Sequence, residues 1–592
     1  MIPKENRSII TSGAHRMTRK NGLSLTLGTI LFFAFVSWAN CTTYYADPSA
    51  ADQGAAGGQT IKSLAVAIGT NRQATIILQH NGSGTASYYT VGQNLDLSTY
   101  TNITFKFERG AILSHGIHKI SIPHVDAGLY RIFNGTGAVA LPGIKYPEWF
   151  GARGNNAADD TAALQATLNT GGIIKLSDKI YRFTFLTLPA TGTTLEGNGW
   201  SSVLSTTAPA MGNTSPVIWI KANNVTLKSI KVAWAAMPSA LQAFNPINNN
   251  STVSVGWSEV TGSATLIENA VIDHIYVSGG KQHGIAIGRS KNVTVVNSTI
   301  AFPYGTGIWA YYSNNIKVQN NRIEETGDDG IYVAANGADS YGPDDYSVNP
   351  LISGNTILNS GAKGIGVGGT YGASIVNNTI DGTWASAIVA KSDYAGGHVK
   401  PIMTNISGNI IRRVFQNYGT GKYRRQHIVA ATAGVYGIIE CHSDGRSTVN
   451  DNTIEDRSAL HSHYRALWLS SQILNVKGNK IITDGNVAVV IGNDSPKDTT
   501  NVDYFVMSGN TVDISPGNGY QMLSLFGVAS GLVTGNYFNC GGQGASSPKG
   551  RFLVTHWATN VEFKNNVIIN YTDKQANSGH SSGIIFDVGT AP

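Results

Sequence analysis

Little in this chain is charged, and almost none of it is cysteine. Three cysteines among 592 residues, Cys41, Cys441 and Cys540, are too few and too scattered for a disulfide scaffold or a metal cluster. Charged residues make up 13% of the chain, about half the usual share of a globular domain. Apolar residues at helical spacing are nearly invisible, which leaves the all-β class. Residues 1–39 carry five basic side chains and one acidic one. The rest of the chain therefore has a net charge near +2, against +6 for the whole. A body so close to neutral makes no case for nucleic acid as a partner.

One long apolar run exists, at residues 23–38, behind Arg19 and Lys20. It is too short and too near the start to favour a spanning helix. Ser37-Trp-Ala39 has the small-x-small form of a cleavage site, so residues 1–39 read as a secretory signal peptide. Met17 offers an alternative start, because the segment after it is an ordinary basic n-region. The expected location is secreted, periplasmic or cell-surface. Cys41 lies where a lipid anchor would attach, although Asn40 before it suits a lipoprotein signal poorly. No other membrane contact is expected.

What the chain has in quantity is Gly, 68 residues, and a recurring phrase. The phrase is Asn, one variable residue, then an apolar residue. Asn321 and Ile323 begin it, and Asn355, Asn378, Asn409, Asn452, Asn479, Asn510, Asn536 and Asn566 continue it; Asp273 and Ser298 look like earlier, degenerate copies. Intervals of a few tens of residues mean stacked repeats rather than a single folded core. Residues 315–335 illustrate one repeat. Ile316 and Val318 alternate with polar residues, Asn320-Asn321 turns the chain, Ile323 starts a second strand, and Gly330-Ile-Tyr-Val forms a third. Three strands and three turns make one coil of a right-handed parallel β-helix, with coils about 4.8 Å apart. The Asn column is then structural: stacked amides satisfy one another inside the turn.

Trp149-Phe-Gly-Ala-Arg-Gly-Asn-Asn-Ala-Ala-Asp-Asp-Thr-Ala-Ala-Leu-Gln resembles the opening motif of the pectate-lyase-like β-helix superfamily, which includes polygalacturonases, rhamnogalacturonase-like proteins and phage tailspikes. With the repeats, the resemblance covers residues 146–592. It implies a β-helix there, a signal peptide over 1–39, and an N-terminal β module or irregular first coils over 40–145. Asp159 or Asp160 is placed to cap a short helix, Thr161–Leu168, that would plug the open end of the first coil.

The third strands align on His283-Gly-Ile, Thr306-Gly-Ile, Asp329-Gly-Ile, Lys363-Gly-Ile, Ser386-Ala-Ile, Tyr436-Gly-Ile and Arg465-Ala-Leu. Alternation sends Ile331, Ile438 and their equivalents inward. It sends Ala286, Trp309, Tyr332, Gly366, Val389, Ile439 and Trp468 outward. Exposed Trp309, Tyr332 and Trp468 would stack on sugar rings, unless a loop covers them. His283, Asp329, Lys363 and Arg465 would line one edge of a groove. Arg424 and Arg425 on an insertion, and His463 before Arg465, would add a basic rim. Such a rim suits an acidic polysaccharide, a solvated charged loop being the alternative.

Gly327-Asp-Asp-Gly-Ile resembles the Gly-Asp-Asp-Cys-Ile motif of polygalacturonases, which implies acid–base roles for Asp328 and Asp329. Ile388-Val-Ala-Lys391 partly matches that family's Arg-Ile-Lys. The departures are that Lys363 stands where the family has its catalytic His, and Gly305-Thr306-Gly307 where it has Asn-Thr-Asp-Gly. Inverting hydrolysis needs two carboxylates about 6.5–9.5 Å apart. The adjacent pair would diverge on a strand, and Asp393, two coils away, is marginal. β-Elimination instead needs a base, for which Lys363 or Lys391 is the candidate, and a cation. Asp328 and Asp329 could supply oxygens to Ca²⁺, with Asp344 and Asp345 nearby. The leading expectation is a secreted enzyme that cleaves or remodels a uronate-containing glycan. The alternatives are a non-catalytic, tailspike-like glycan binder and a purely structural β-helix.

Overall fold

The computed structural model describes residues 42–48, 59–82, 84, 86–208, 215–235, 250–258, 261–335, 346–392, 400–415, 436–456, 464–484, 487–492, 502–514, 521–540, 551–569, 576–577 and 585–587. The apolar run at 23–38 lies outside them, as do Arg424, Arg425, His463, Asp344, Asp345 and Asp393. Among the described residues no helix is long and apolar enough to cross a membrane.

Three long sheets run the length of the chain. The first has 16 strands, from Ile144–Lys145 to Ile585–Asp587; the second has 15, from Asn155–Asp159 to Val567–Ile569; the third has 14, from Leu186–Leu188 to Ala576–Asn577. Each strand pairs in parallel with its counterpart one coil later, so the chain visits the three sheets in turn. Lys317–Gln319, Arg322–Glu324 and Ile331–Ala334 form one such coil. Register keeps like residues in columns: Ile285, Ile308, Ile331, Ile365 and Ile388 pair in succession, and all are fully buried. This column and its equivalents in the other two sheets fill the interior.

The Asn phrase explains the turn between the first two sheets. The Nδ2 group of Asn321 donates to Oδ1 of Asn355 at 3.0 Å, Asn355 to Asn378 at 2.9 Å, and so on without a break to Asn566. Each Oδ1 also accepts the backbone N–H of the preceding member, as in Asn378 N to Asn409 Oδ1 at 3.0 Å. The residue before each ladder Asn takes a positive φ, at Asn320, Gly354, Asn377, Gly408, Asp451 and Gly478. Only Gly, Asn and Asp enter that region cheaply. That is why Asn-Asn, Gly-Asn and Asp-Asn recur in the sequence.

Residues 42–140 form three short parallel sheets of their own, with strand Thr42–Ala46 leading the largest. They enclose a separate core that includes Ile76, Phe105, Phe107 and Phe133. Helix α1, Ile61–Ile68, is capped by Thr60, whose Oγ1 accepts from Ser63 N at 3.2 Å. At the junction with the long sheets, buried Glu148 accepts from Tyr181 Oη at 2.7 Å and Ser177 Oγ at 2.9 Å, and pairs with Lys179 at 3.0 Å.

Helix α2, Thr161–Leu168, sits where the opening motif placed it. Leu164 and Leu168 join the main core with Leu186 and Leu188. Its capping is divided between the two acids. Asp159 Oδ1 accepts from Thr161 N at 2.9 Å. Asp160 occupies the cap position but accepts instead from Arg153 N at 2.7 Å and Gly154 N at 3.0 Å. It therefore ties the Gly-Ala-Arg-Gly turn to the helix.

Candidate functional site

The outer face of the third sheet gathers most of the sequence-derived residues. Its strands follow Gly-Ile because a Cβ at Gly307 or Gly330 would lie 2.5–2.6 Å from the carbonyl oxygen of the next glycine in the column. The residues before these glycines do not form the exposed edge expected from the sequence: His283, Thr306, Asp329, Ser386 and Arg465 are buried, and Lys363 alone is half-buried, because close stacking packs each against the next coil. That column runs His283, Thr306, Asp329, Lys363 and Ser386 on successive coils. The outward column beside it runs Trp309, Tyr332, Gly366, Val389.

One coil later the alternation read from the sequence is off by one residue. Ile439, not Ile438, pairs with Ile388 and Leu467 and points inward, and Glu440 takes the outward position between Val389 and Trp468. Gly437, not Tyr436, stands beside Arg465. Two consecutive isoleucines fit either register by hydrophobicity, and both are buried. Only pairing with the neighbouring coils decides between them. The acid at the end of Tyr436-Gly-Ile-Ile-Glu was the available signal.

Glu440 is fully buried. Its Oε1 accepts from Ser386 Oγ at 2.9 Å and Gly437 N at 2.8 Å, while Oε2 binds the Lys391 ammonium. Burial alone would raise its pKa, but Lys391, His442 and these donors outweigh it and hold the carboxyl below the usual range. Asp329 is arranged in the same way. Its Oδ1 accepts from Lys363 N at 2.8 Å, and Oδ2 lies 3.6 Å from Lys363 Nζ. The Lys363 ammonium also sits 5.2 Å from the centre of the Tyr332 ring. That ring lies along the sheet over Gly366, where a Cβ would come within 2.5 Å of it. Asp328, beside Asp329, is half-buried and anchored through its backbone, with its carbonyl accepting from Thr326 Oγ1 at 2.7 Å.

The groove has an aromatic cluster at each end. At one end Trp309 packs against His283 and Trp257, each at 4.7 Å between ring centres, and Tyr311 lies 5.4 Å away. His283 Nδ1 accepts from Thr306 N at 3.1 Å. At the other end the Arg465 guanidinium lies 4.1 Å over Trp468, with His442 edge-on to the same ring at 4.7 Å. Trp257, Tyr311 and His442 were missed in the sequence. Tyr311 and His442 needed the alternation extended two residues further, and Trp257 lies outside the repeat.

Asp329 and Glu440 are too far apart for a hydrolytic pair, and Asp393 lies outside the described residues. Asp329 and Glu440 belong to strands three coils apart, about 14 Å along the axis. Calcium takes about six to eight oxygens, and Asp344 and Asp345, which the calcium expectation included, lie outside the described residues. Both Asp329 oxygens already face Lys363, and among the described residues no three His, Cys, Asp or Glu side chains gather around a common point.

Residues 245–398 match the family described as right handed beta helix region. The N-terminal fragment of gene product 12 of bacteriophage Phi29 is similar over 72% of this chain and 71% of its own, with a TM-score of 0.51 and 14% identity. The chain is a right-handed parallel β-helix protein. The A-module of the mannuronan C-5 epimerase AlgE6 of Azotobacter vinelandii is 14% identical over 75% of this β-helix chain and 100% of its own, at a TM-score of 0.39. A family 28 exopolygalacturonase of Yersinia enterocolitica is 13% identical over 75% and 78%, at 0.42. No curated protein matches the sequence.

Proposed function

We propose that this β-helix protein binds an acidic polysaccharide along the third-sheet face between Trp309 and Trp468. One observation carries the reading: along a single face the rings of Trp309 and Tyr332 are followed on the next two coils by Lys363 and Lys391, and two coils further by Arg465 with Trp468. Aromatic rings offer flat apolar surfaces to the C–H faces of sugars, and the cations suit carboxylates spaced along a uronate chain. The acids on this face, Asp329 and Glu440, serve mainly to hold lysines in place. Arg424, Arg425 and His463 would extend the basic rim. In this reading residues 1–39 direct the protein out of the cytoplasm, which N-terminal sequencing of the exported form would check.

The test is a titration of polygalacturonate against a neutral glucan. Tighter binding of the acidic chain, weakened about tenfold in Lys363→Met or Lys391→Met, supports the proposal. Equal or stronger binding of the neutral chain overturns it.

A cleaving enzyme is the second reading. It is favoured by Asp328, Asp329, Lys363 and Lys391 standing on three successive coils of one face. New reducing ends on a polyuronate panel would establish cleavage. Accompanying ultraviolet absorbance from unsaturated uronates would mean elimination, and its absence hydrolysis. Loss of that activity in Asp329→Asn would place it in this cluster.

A further inference from the structure

The groove is not open along the whole sheet. After strand Val253–Val255 the chain leaves the coil as a small excursion, residues 256–265, closed by an antiparallel bridge between Trp257 and Ala264. It is tied down at its base. Gly256 N donates to Ile220 O at 3.0 Å, Thr265 N to Gly256 O at 2.7 Å, Ser258 N to Ser263 O at 3.0 Å, and Ser258 Oγ to Asn250 Oδ1 at 3.1 Å. Trp257 folds back over the next coil. A Cβ at Gly288 would lie 2.4 Å from the Trp257 Cβ and 2.7 Å from its Cγ, so only glycine lets the indole rest on the strand there. From that position Trp257 meets Trp309 at 4.7 Å and Tyr311 at 5.5 Å.

Beyond Trp257 the outward column is sealed. Ser254 and Trp219, facing outward on the two preceding coils, are buried, and among the described residues neither Ser254 Oγ nor Trp219 Nε1 has a hydrogen-bond partner. An extended polar chain running along those coils would satisfy such groups and expose them. Trp309, by contrast, is half-buried. Partly exposed side chains then run from Trp309 through Tyr332, Lys363 and Lys391 to Trp468, five coils later and about 24 Å along the axis, with Val389 and Glu440 buried between them.

We propose that Trp257 is an end-stop: a glycan chain enters this groove with one terminus against the Trp257, Trp309 and Tyr311 rings, and internal segments of a long chain do not thread past it. This rests on the glycan-binding reading above. It makes Trp257 a specificity-determining residue for chain ends.

The experiment measures affinity per chain for oligogalacturonides of graded length, on the full-length protein. An end-stop gives affinity that rises until the groove is filled and is then flat, because each chain has a single terminus of the right kind. Free threading gives affinity that keeps rising with length, because long chains offer more registers. A bulky label placed on the reducing end, and separately on the non-reducing end, should abolish binding in one of the two cases. Trp257→Ala should weaken short oligomers roughly tenfold, the loss of one aromatic stack, and restore the rise with length. A wild-type affinity that keeps rising, or indifference to both labels, overturns the end-stop while leaving glycan binding intact. An unchanged plateau in folded Trp257→Ala removes the role from Trp257. Absence of binding at every length overturns the glycan reading itself.

Discussion

Lys391 and Glu440 stand 49 residues apart in the chain and form an ion pair across neighbouring coils of the third sheet. The pair is asymmetric. The carboxylate is sealed inside the face, while the lysine side chain keeps about a quarter of its exposure. Glu440 thus acts as a buried anchor that aims an accessible cation into the groove.

Replacing Glu440 with Gln removes that anchor. Breaking a buried pair costs several kcal/mol, less when the surviving charge can reach water, so a loss of about 2 kcal/mol is expected at neutral pH. The carboxyl's pKa is lowered in the fold. Its stabilisation is therefore complete above the unfolded value, about 4.3, and fades as pH falls through the lower folded value. Urea denaturation below pH 5 should show a falling stability in the wild type and a flatter curve in Glu440→Gln.

Asn409 accepts from Asn378 through two groups and donates to Ile375 O at 2.9 Å and Asn452 Oδ1 at 2.9 Å. Asn409→Ala leaves these buried partners unmatched, at about 1–3 kcal/mol for each group left wanting. We expect a loss of roughly 3 kcal/mol by urea denaturation. Limited proteolysis should show new cleavage near the coils of Asn378 and Asn452, because a solenoid is held together by neighbour contacts.

Lys281 is 3% exposed, and among the described residues its ammonium has no hydrogen-bond partner, lying 5.4 Å from the Trp234 ring centre. Burial pushes its pKa down to about 8. Between that value and the unfolded one, about 10.4, the unfolded chain binds the extra proton, so stability should rise with pH across this window. Lys281→Met should abolish the rise. It should also stabilise the protein at pH 7 by about 1–3 kcal/mol, since each pKa unit is worth about 1.4. Denaturation curves at pH 7 and pH 9.5 for both proteins check this.

Gly366 leaves room for the Tyr332 ring. A methyl group there would meet Cδ2 at 2.5 Å and Cε2 at 2.9 Å. Its backbone is ordinary, so Gly366→Ala tests ring placement alone. Overpacking costs about 1–3 kcal/mol, and the displaced ring should loosen from Lys363. We expect a modest fall in melting temperature and a clear loss of polygalacturonate affinity.

The periodic part of this protein was legible as sequence. Asn321 through Asn566 announced the ladder, and the Gly-Ile strands announced the third sheet, because a parallel stack repeats the same demand at every coil. The site was legible only in part. Asp329, Lys363, Trp309, Tyr332 and Trp468 were placed on this face by counting from the repeat, and Lys391 by its partial match to Arg-Ile-Lys. Glu440 escaped because Ile438-Ile439 allows two registers. Trp257 escaped because its excursion has no period to count from.

The order of strands, the left-handed turns before each ladder Asn and the inward columns other than at Ile438-Ile439 are determined by the sequence alone, since each follows from contacts between equivalent residues one coil apart. Which acid holds which lysine, and where the open face of the third sheet begins, was decided only by the tertiary structure. Those relationships join side chains that are not equivalent, Lys391 with Glu440 and Trp257 with Trp309. They depend on how far one side chain reaches across the coil spacing, which no pattern of residue types records.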